Sequence, residues 1–320
     1  MKRGWSKAVL LALLCMAGAA AQAQPFLTQV REFGSNPGTL RMFYYVPARL
    51  PADAPLVVVA HGCLGNAREI ALTSGWVELA DRFGIALLFP ETSKQNEPWA
   101  GCFRTWEPAH QARDAGEPLS VRQMIGHMQA LFPLDKSKTY MAGVSSGGHL
   151  TQVMMATYPE VFAATAVQSS FPYKCAMAAS DLGPCAAAGR EHSAVEWGDL
   201  VRGARPGYEG PWPRVQLWHG QQDTIMHYPN LQQLVLQWTN VHGIDAIADR
   251  EDEILSNPRA SYATADGDVR VEAVTVTAMG HAIAVDPGDG PTQCGTTAMF
   301  AADVDICAAY WISEFFGIAD

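Results

Sequence analysis

The sequence contains no apolar run of 18 residues, so a membrane-spanning helix is not expected. Positive charge is scarce: 22 Lys and Arg stand against 32 Asp and Glu, a net charge of -10. Phosphate backbones demand clustered cations, which argues against nucleic acid as a partner. Charged residues make up only 17% and hydrophobic ones 48%, values that exclude a disordered chain and a coiled coil. No Cys-x-x-Cys pair, dinucleotide fingerprint, phosphate loop or metal-ligand cluster occurs, and neither a metal nor a cofactor is expected. No Ser/Gly-rich linker or internal repeat divides the chain.

The first residues carry an export signal. Lys2, Arg3 and Lys7 precede an apolar stretch from Ala8 to Met16, and Ala21-Gln22-Ala23 offers a small-x-small cleavage site. Residues 1–23 are therefore read as a secretory leader cut near Ala23, which places the mature protein in the periplasm or the medium without a membrane anchor. Cleavage leaves 19 basic against 32 acidic residues, a mature charge of -13 that would keep an exported protein soluble. The cut also removes Cys15 and leaves Cys63, Cys102, Cys175, Cys185, Cys294 and Cys307. An even count in an exported chain suggests three disulfides, for which fifteen pairings exist. Proximity favours Cys175–Cys185 and Cys294–Cys307, leaving Cys63 for Cys102.

Short apolar strands alternate with amphipathic helices along residues 24–320. Leu56–Ala60 is a continuous apolar run, as a strand buried on both faces should be. Leu40–Val46, Ile85–Phe89, Thr139–Ala142, Phe162–Val167, Val215–Trp218 and Val269–Val276 are further strand candidates. Val121, Met124, Ile125, Met128 and Leu131 share one helix face, and Leu231, Leu234, Val235 and Trp238 repeat the spacing. The alternation predicts one α/β domain with a mostly parallel sheet covered on both faces. Residues 171–205, with Gly, Pro and two cysteines, are read as a disulfide-bearing excursion above that sheet.

The most informative stretch is Thr139-Tyr-Met-Ala-Gly143-Val-Ser145-Ser146-Gly147-Gly-His149, a strand, then Gly-x-Ser-x-Gly, then a helix. Such an elbow lifts Ser145 clear of the sheet, while Gly143 and Gly147 leave room at the turn. A serine hydroxyl needs a base, and the base a carboxylate, in the chain order Ser, Asp, His for this architecture. Asp223 follows the strand Val215–Trp218; Asp199, the rival, sits in a helical pattern before it. His281 follows the last strand candidate. His149 and His227 are the other contenders, with His149 expected to point along its own helix. His219 and His242 are read as satisfying backbone groups. The oxyanion of an acyl transfer would be held by the backbone N–H of Ser146 and of Cys63, the latter in the loop Ala60-His61-Gly62-Cys63-Leu64-Gly65. Trp99, Trp106 and Trp212 are candidates for an aromatic substrate rim.

His61-Gly62-Cys63, Gly143-Val-Ser-Ser-Gly-Gly148, His219-Gly-Gln-Gln-Asp223 and Met279-Gly-His281 together resemble a known group of α/β-hydrolases. That family joins polyhydroxybutyrate depolymerase-like esterases to carbohydrate esterase family 1, the acetylxylan and feruloyl esterases. The likeness extends to Glu196-Trp-Gly-Asp-Leu-Val, Gln237-Trp-Thr-Asn-Val241 and the Cys307-Ala-Ala-Tyr-Trp ending. The resemblance implies the α/β-hydrolase fold and a Ser145, Asp223 and His281 triad. It also implies an ester-bearing polymer or oligomer as substrate. The first expectation is release of acetyl or feruloyl groups from plant polysaccharide; the alternative is hydrolysis of polyhydroxybutyrate or its oligomers. Nothing in the sequence indicates an oligomeric state.

Overall fold

The computed structural model describes residues 26–319, so the expected leader, its cleavage point and Cys15 lie outside the described residues. Among the described residues twelve strands run in chain order as β1 (Thr28–Val30), β2 (Arg41–Tyr45), β3 (Ala54–Ala60), β4 (Ala86–Glu91), β5 (Leu134–Val144) and β6 (Ala164–Gln168), then β7 (Arg214–Gly220), β8 (Arg250–Ile254), β9 (Asn257–Ala263), β10 (Val269–Val276), β11 (Ile283–Val285) and β12 (Ala301–Asp303). The α-helices are α1 (Ala67–Thr73), α2 (Trp76–Phe83), α3 (Gly116–Leu131), α4 (Ser146–Thr157), α5 (Leu182–Ala186), α6 (Ala194–Arg202), α7 (Asn230–His242) and α8 (Ala308–Phe315).

Ten strands form one sheet in the order β1-β2-β4-β3-β5-β6-β7-β10-β9-β8. Its centre, from β4 to β10, is parallel throughout. Antiparallel strands close both edges, β1 and β2 on one side and β9 and β8 on the other. The uniformly apolar β3 follows from burial on both faces: Val57 and Val59 join one core cluster, Leu56, Val58 and Ala60 the other. The predicted face of α3 is buried through Val121, Met124, Ile125 and Met128, whereas Leu131 at its end is exposed. This is the α/β-hydrolase architecture expected from the sequence.

Three disulfides join Cys63 to Cys102, Cys175 to Cys185 and Cys294 to Cys307, the pairing that proximity favoured. Among the described residues no helix is long and apolar enough to cross a membrane. Residues 171–205 pack as α5 and α6 around a small core of Phe171, Cys175, Cys185 and Trp197. One expectation needs correction. His281 does not follow the chain's last strand, because β11 and β12 come after it and form a separate two-stranded sheet. It follows β10, the last parallel strand of the large sheet.

Candidate active site

The strand order reverses direction between β3 and β5, which are hydrogen-bonded neighbours. Loops leaving the two strands there diverge and open a crevice at their C-terminal ends, the usual location of sites on such sheets. Ser145 stands directly after β5 with φ 56° and ψ -120°, a left-handed conformation costly for a residue with a Cβ. The neighbouring glycines make the turn sterically possible. A Cβ on Gly143 would lie 2.2 Å from the Gly147 carbonyl oxygen, and one on Gly147 would lie 2.3 Å from that of Ala60. The Ser145 N–H donates to the Gln168 carbonyl at the end of β6, tying the strained residue to the sheet. Helix α4 then starts at Ser146 and directs its N-terminus at the crevice, which favours negative charge there.

Asp223 and His281 come together from the loops after β7 and β10. His281 Nδ1 lies 2.8 Å from Asp223 Oδ2, and Asp223 Oδ1 accepts from the backbone N–H of Ile225 and Met226 at 2.9 and 2.8 Å. Burial on its own raises the Asp223 pKa, but the hydrogen bond and charge of His281, with those two amides, hold it below the ordinary carboxylate range. The acid therefore stays ionised and fixes the imidazole with Nδ1–H toward it, leaving Nε2 as the basic nitrogen. Ser145 and His281 line the same cavity without a direct hydrogen bond between them. Such a contact can tighten only once substrate is bound.

Two cavities of about 250 Å³ each meet at Ser145 and share Cys63 and Met226 in their walls. The first holds His281 and is walled by Leu64, Ile70, Ile225, Ile283 and Phe300. The second lies on the other side of Ser145, does not include His281, and is walled by Phe103, Trp106, Phe171 and Leu182. Both are predominantly apolar. The backbone N–H groups of Cys63 and Ser146 donate to no other backbone group among the described residues, which leaves them free at the junction.

A family model described as esterase PHB depolymerase matches residues 41–255, a span that contains the elbow, the loop Ala60–Gly65 and Asp223. The chain belongs to the esterase PHB depolymerase family. This esterase is 40% identical over 312 residues to poly(3-hydroxyalkanoate) depolymerase C of Paucimonas lemoignei, covering 98% of its own chain and 75% of that relative. It is 32% identical over 267 residues to feruloyl esterase B of Talaromyces funiculosus, covering 81% and 74% of the two chains. Its fold matches the solved acetyl xylan esterase from Aspergillus awamori with a TM-score of 0.72 and 27% identity, over 80% of this chain and 93% of that one. The protein is a carboxylic-ester hydrolase.

The esterase brings Ser145, Asp223, His281, Cys63, Ser146 and Trp106 to one crevice, and sets other sequence candidates apart. Trp212 is a correction: it precedes β7, so it sits at the end of the sheet opposite the crevice and packs edge-on against Tyr208. Asp199 pairs with Arg202 on the surface of α6. His219 and His242 contact the carbonyl oxygens of Met226 and Pro213, backbone roles as expected. His149 makes no contact with the Ser145 hydroxyl, as expected: its Nδ1 is 2.8 Å from the Thr105 hydroxyl, and the residue lines the second cavity.

Sequence reasoning missed the residues that hold the loop Ala60–Gly65, the candidate oxyanion loop. The Thr92 N–H donates to His61 Nε2 at 3.2 Å, so His61 Nδ1 carries the proton and donates to the Gly62 carbonyl at 2.6 Å. Burial outweighs that carbonyl and lowers the His61 pKa to about 4, keeping the ring neutral. The Leu64 N–H donates to the Ala100 carbonyl at 2.7 Å alongside the Cys63–Cys102 bridge. The facing loop is in turn gathered by Glu97, which accepts from the N–H groups of Trp99, Ala100 and Cys102 at 3.0, 2.7 and 3.3 Å. Burial alone raises the Glu97 pKa, but these amides together hold it below its usual value. Glu97→Gln is therefore expected to slow ester turnover about 10-fold through a loosened oxyanion loop. It should also lower the melting temperature at neutral pH. Because the folded pKa is depressed, the carboxylate's contribution is present above the ordinary glutamate range and lost as pH falls through the folded value. Melting curves of both proteins from pH 7 to pH 3 should converge in acid; a constant gap would rule out this role for the charge.

Proposed function

We propose that this esterase cleaves aliphatic hydroxyalkanoate esters, a polyester chain or its oligomers, through an acyl-enzyme on Ser145. His281 Nε2 takes the Ser145 proton as the hydroxyl attacks the ester carbonyl. The oxyanion forms within reach of the free N–H groups of Cys63 and Ser146. His281 then gives the proton to the departing alkoxide, the acyl–oxygen bond breaks, and water repeats the sequence in reverse to free the acid. Asp223 holds the imidazole in place and balances its charge.

One observation carries the choice of substrate: an apolar cavity lies on each side of Ser145. The leaving alcohol must depart next to His281, which protonates it, so it occupies the first cavity. The acyl group is then on the second side. A sugar alcohol would need hydrogen-bond partners where Ile70, Ile225, Ile283 and Phe300 stand. A hydroxyalkanoate chain presents similar apolar units to both sides. The 40% identity with a poly(3-hydroxyalkanoate) depolymerase supports the same reading. A second reading, release of acetyl or feruloyl groups from plant polysaccharide, draws support from the Phe103, Trp106 and Phe171 walls, which suit an aromatic acyl group. Trp99, 89% exposed and adjacent to the cavity-lining Ala100, could stack on a sugar at the mouth. We also propose that residues 24–320 act as one exported domain after removal of residues 1–23, a reading that the three disulfides support.

The test is a side-by-side assay of purified mature protein on hydroxybutyrate oligomers, amorphous polyhydroxybutyrate, acetylated xylan and methyl ferulate. Hydroxybutyrate release is expected to be fastest. Faster release of acetate or ferulate would replace this reading by the second.

A further inference from the structure

The cavity that holds Ser145 and His281 has a single carboxylate in its wall, that of Glu69. Glu69, Ile70 and Thr73 line it together, positions i, i+1 and i+4 on one face of α1. Among the described residues no Lys or Arg lines this cavity or the one across Ser145. Glu69 is half-buried, and its one side-chain hydrogen bond is a long one, 3.4 Å from Asn66 Nδ2 to Oε2. It forms no ion pair among the described residues. The neighbouring Arg68 guanidinium lies over the Phe26 ring instead, 5.6 Å from its centroid. An anion entering here therefore meets a like charge that no cation offsets, between walls that hold water poorly. Repulsion between like charges grows as water is excluded from between them.

The leaving alcohol decides what this charge does. On the reading that the alcohol departs beside His281, we infer that Glu69 makes the esterase discriminate against leaving groups that carry a free carboxylate. A 3-hydroxyalkanoate leaving group has its carboxyl carbon three bonds from the ester oxygen, which puts it inside a cavity of about 250 Å³. Within a polyester chain that carbon belongs to the next ester and is neutral. At the carboxyl end of the chain it is an ionised carboxylate at neutral pH. Interior bonds should therefore be cut faster than the bond next to a free carboxyl end. The acid released by deacylation forms on the other side of Ser145, where no carboxylate lines the wall, so Glu69 does not oppose that step.

The test compares kcat/KM for the 3-hydroxybutyrate dimer with that for its terminal carboxamide, following cleavage of the bond between the two units. The pair differs only in the charge on the leaving alcohol, and the carboxamide is expected to be preferred by about 5- to 20-fold, the scale of one like charge several ångströms away in a half-open cavity. Glu69→Gln keeps the side chain's shape and its contact with Asn66, and should bring the ratio to about 2-fold or below. Glu69→Lys should invert the preference. In the wild type the ratio should shrink toward about 1 M salt, where charges are screened beyond about 3 Å, and it should barely move in Glu69→Gln. Any general change in activity divides out of the ratio. A wild-type ratio near one, or an equal ratio in Glu69→Gln, would overturn the assignment. The same two leaving alcohols are also presented with acetyl and feruloyl in place of the hydroxybutyryl acyl group. Cleavage of only those esters would overturn the aliphatic reading while their ratio still tests Glu69, so the two failures are distinct. A carboxamide cleaved with no acyl group would overturn the placement of the leaving alcohol, and this inference with it.

Discussion

Ser145→Ala is expected to lower kcat for any accepted ester by roughly a million-fold, to the residue of catalysis that an oxyanion site and binding alone provide. The magnitude follows from how the crevice is built. Ser145 is the one serine, among the described residues, that lines the cavity with His281, and its φ of 56° lifts the hydroxyl into the junction of the two cavities. Removal of Oγ relieves no packing and leaves the Gln168 bond to the Ser145 amide intact, so the melting temperature should change little. A variant that keeps more than a few per cent of wild-type turnover would transfer the nucleophile's role elsewhere.

The second large effect is at Asp223. Asp223→Asn should reduce kcat about 10,000-fold with the fold preserved. The asparagine carbonyl can still accept from the Ile225 and Met226 amides, which keeps the loop in place. Its NH2 group, however, would face His281 Nδ1 and donate to it, forcing the proton onto Nε2, where Ser145 needs a base. The same change removes the charge that balances the imidazolium. Measuring kcat beside a thermal melt separates the two consequences. A loss below about 10-fold would mean that His281 finds its orientation without the acid; a loss with a collapsed melt would mean that Asp223 is chiefly structural.

The elements that position this chemistry were legible where steric or chemical necessity leaves few residue choices. Gly143 and Gly147 flank Ser145 because carbonyl oxygens lie a little over 2 Å from where their Cβ atoms would be. Val57 and Val59 against Leu56 and Val58 announce a strand with a core on each face. The β8–β9 hairpin was not legible. Arg250–Ile254 is a charged edge strand, and its turn is made by Leu255 and Ser256, both at positive φ, with none of the Gly or Asn that usually signals such a turn. Its register instead rests on tertiary pairing, with Arg259 gripping Asp252 across the strands at 2.8 and 2.7 Å. Glu97 and His61 were missed for a related reason. They act on backbone groups of loops, and no residue spacing records which carboxylate collects which amides. The position of Trp212 misled because an aromatic residue carries no mark of which end of the sheet it will occupy.

The most direct measurement is the intact mass and peptide map of the purified protein after reaction with a fluorophosphonate, which is attacked only by an activated serine. A single adduct on Ser145, formed in step with loss of esterase activity and absent from Ser145→Ala and strongly slowed in Asp223→Asn, is the expected result. Labelling at another residue, or full inactivation with Ser145 unmodified, would contradict the triad at its centre.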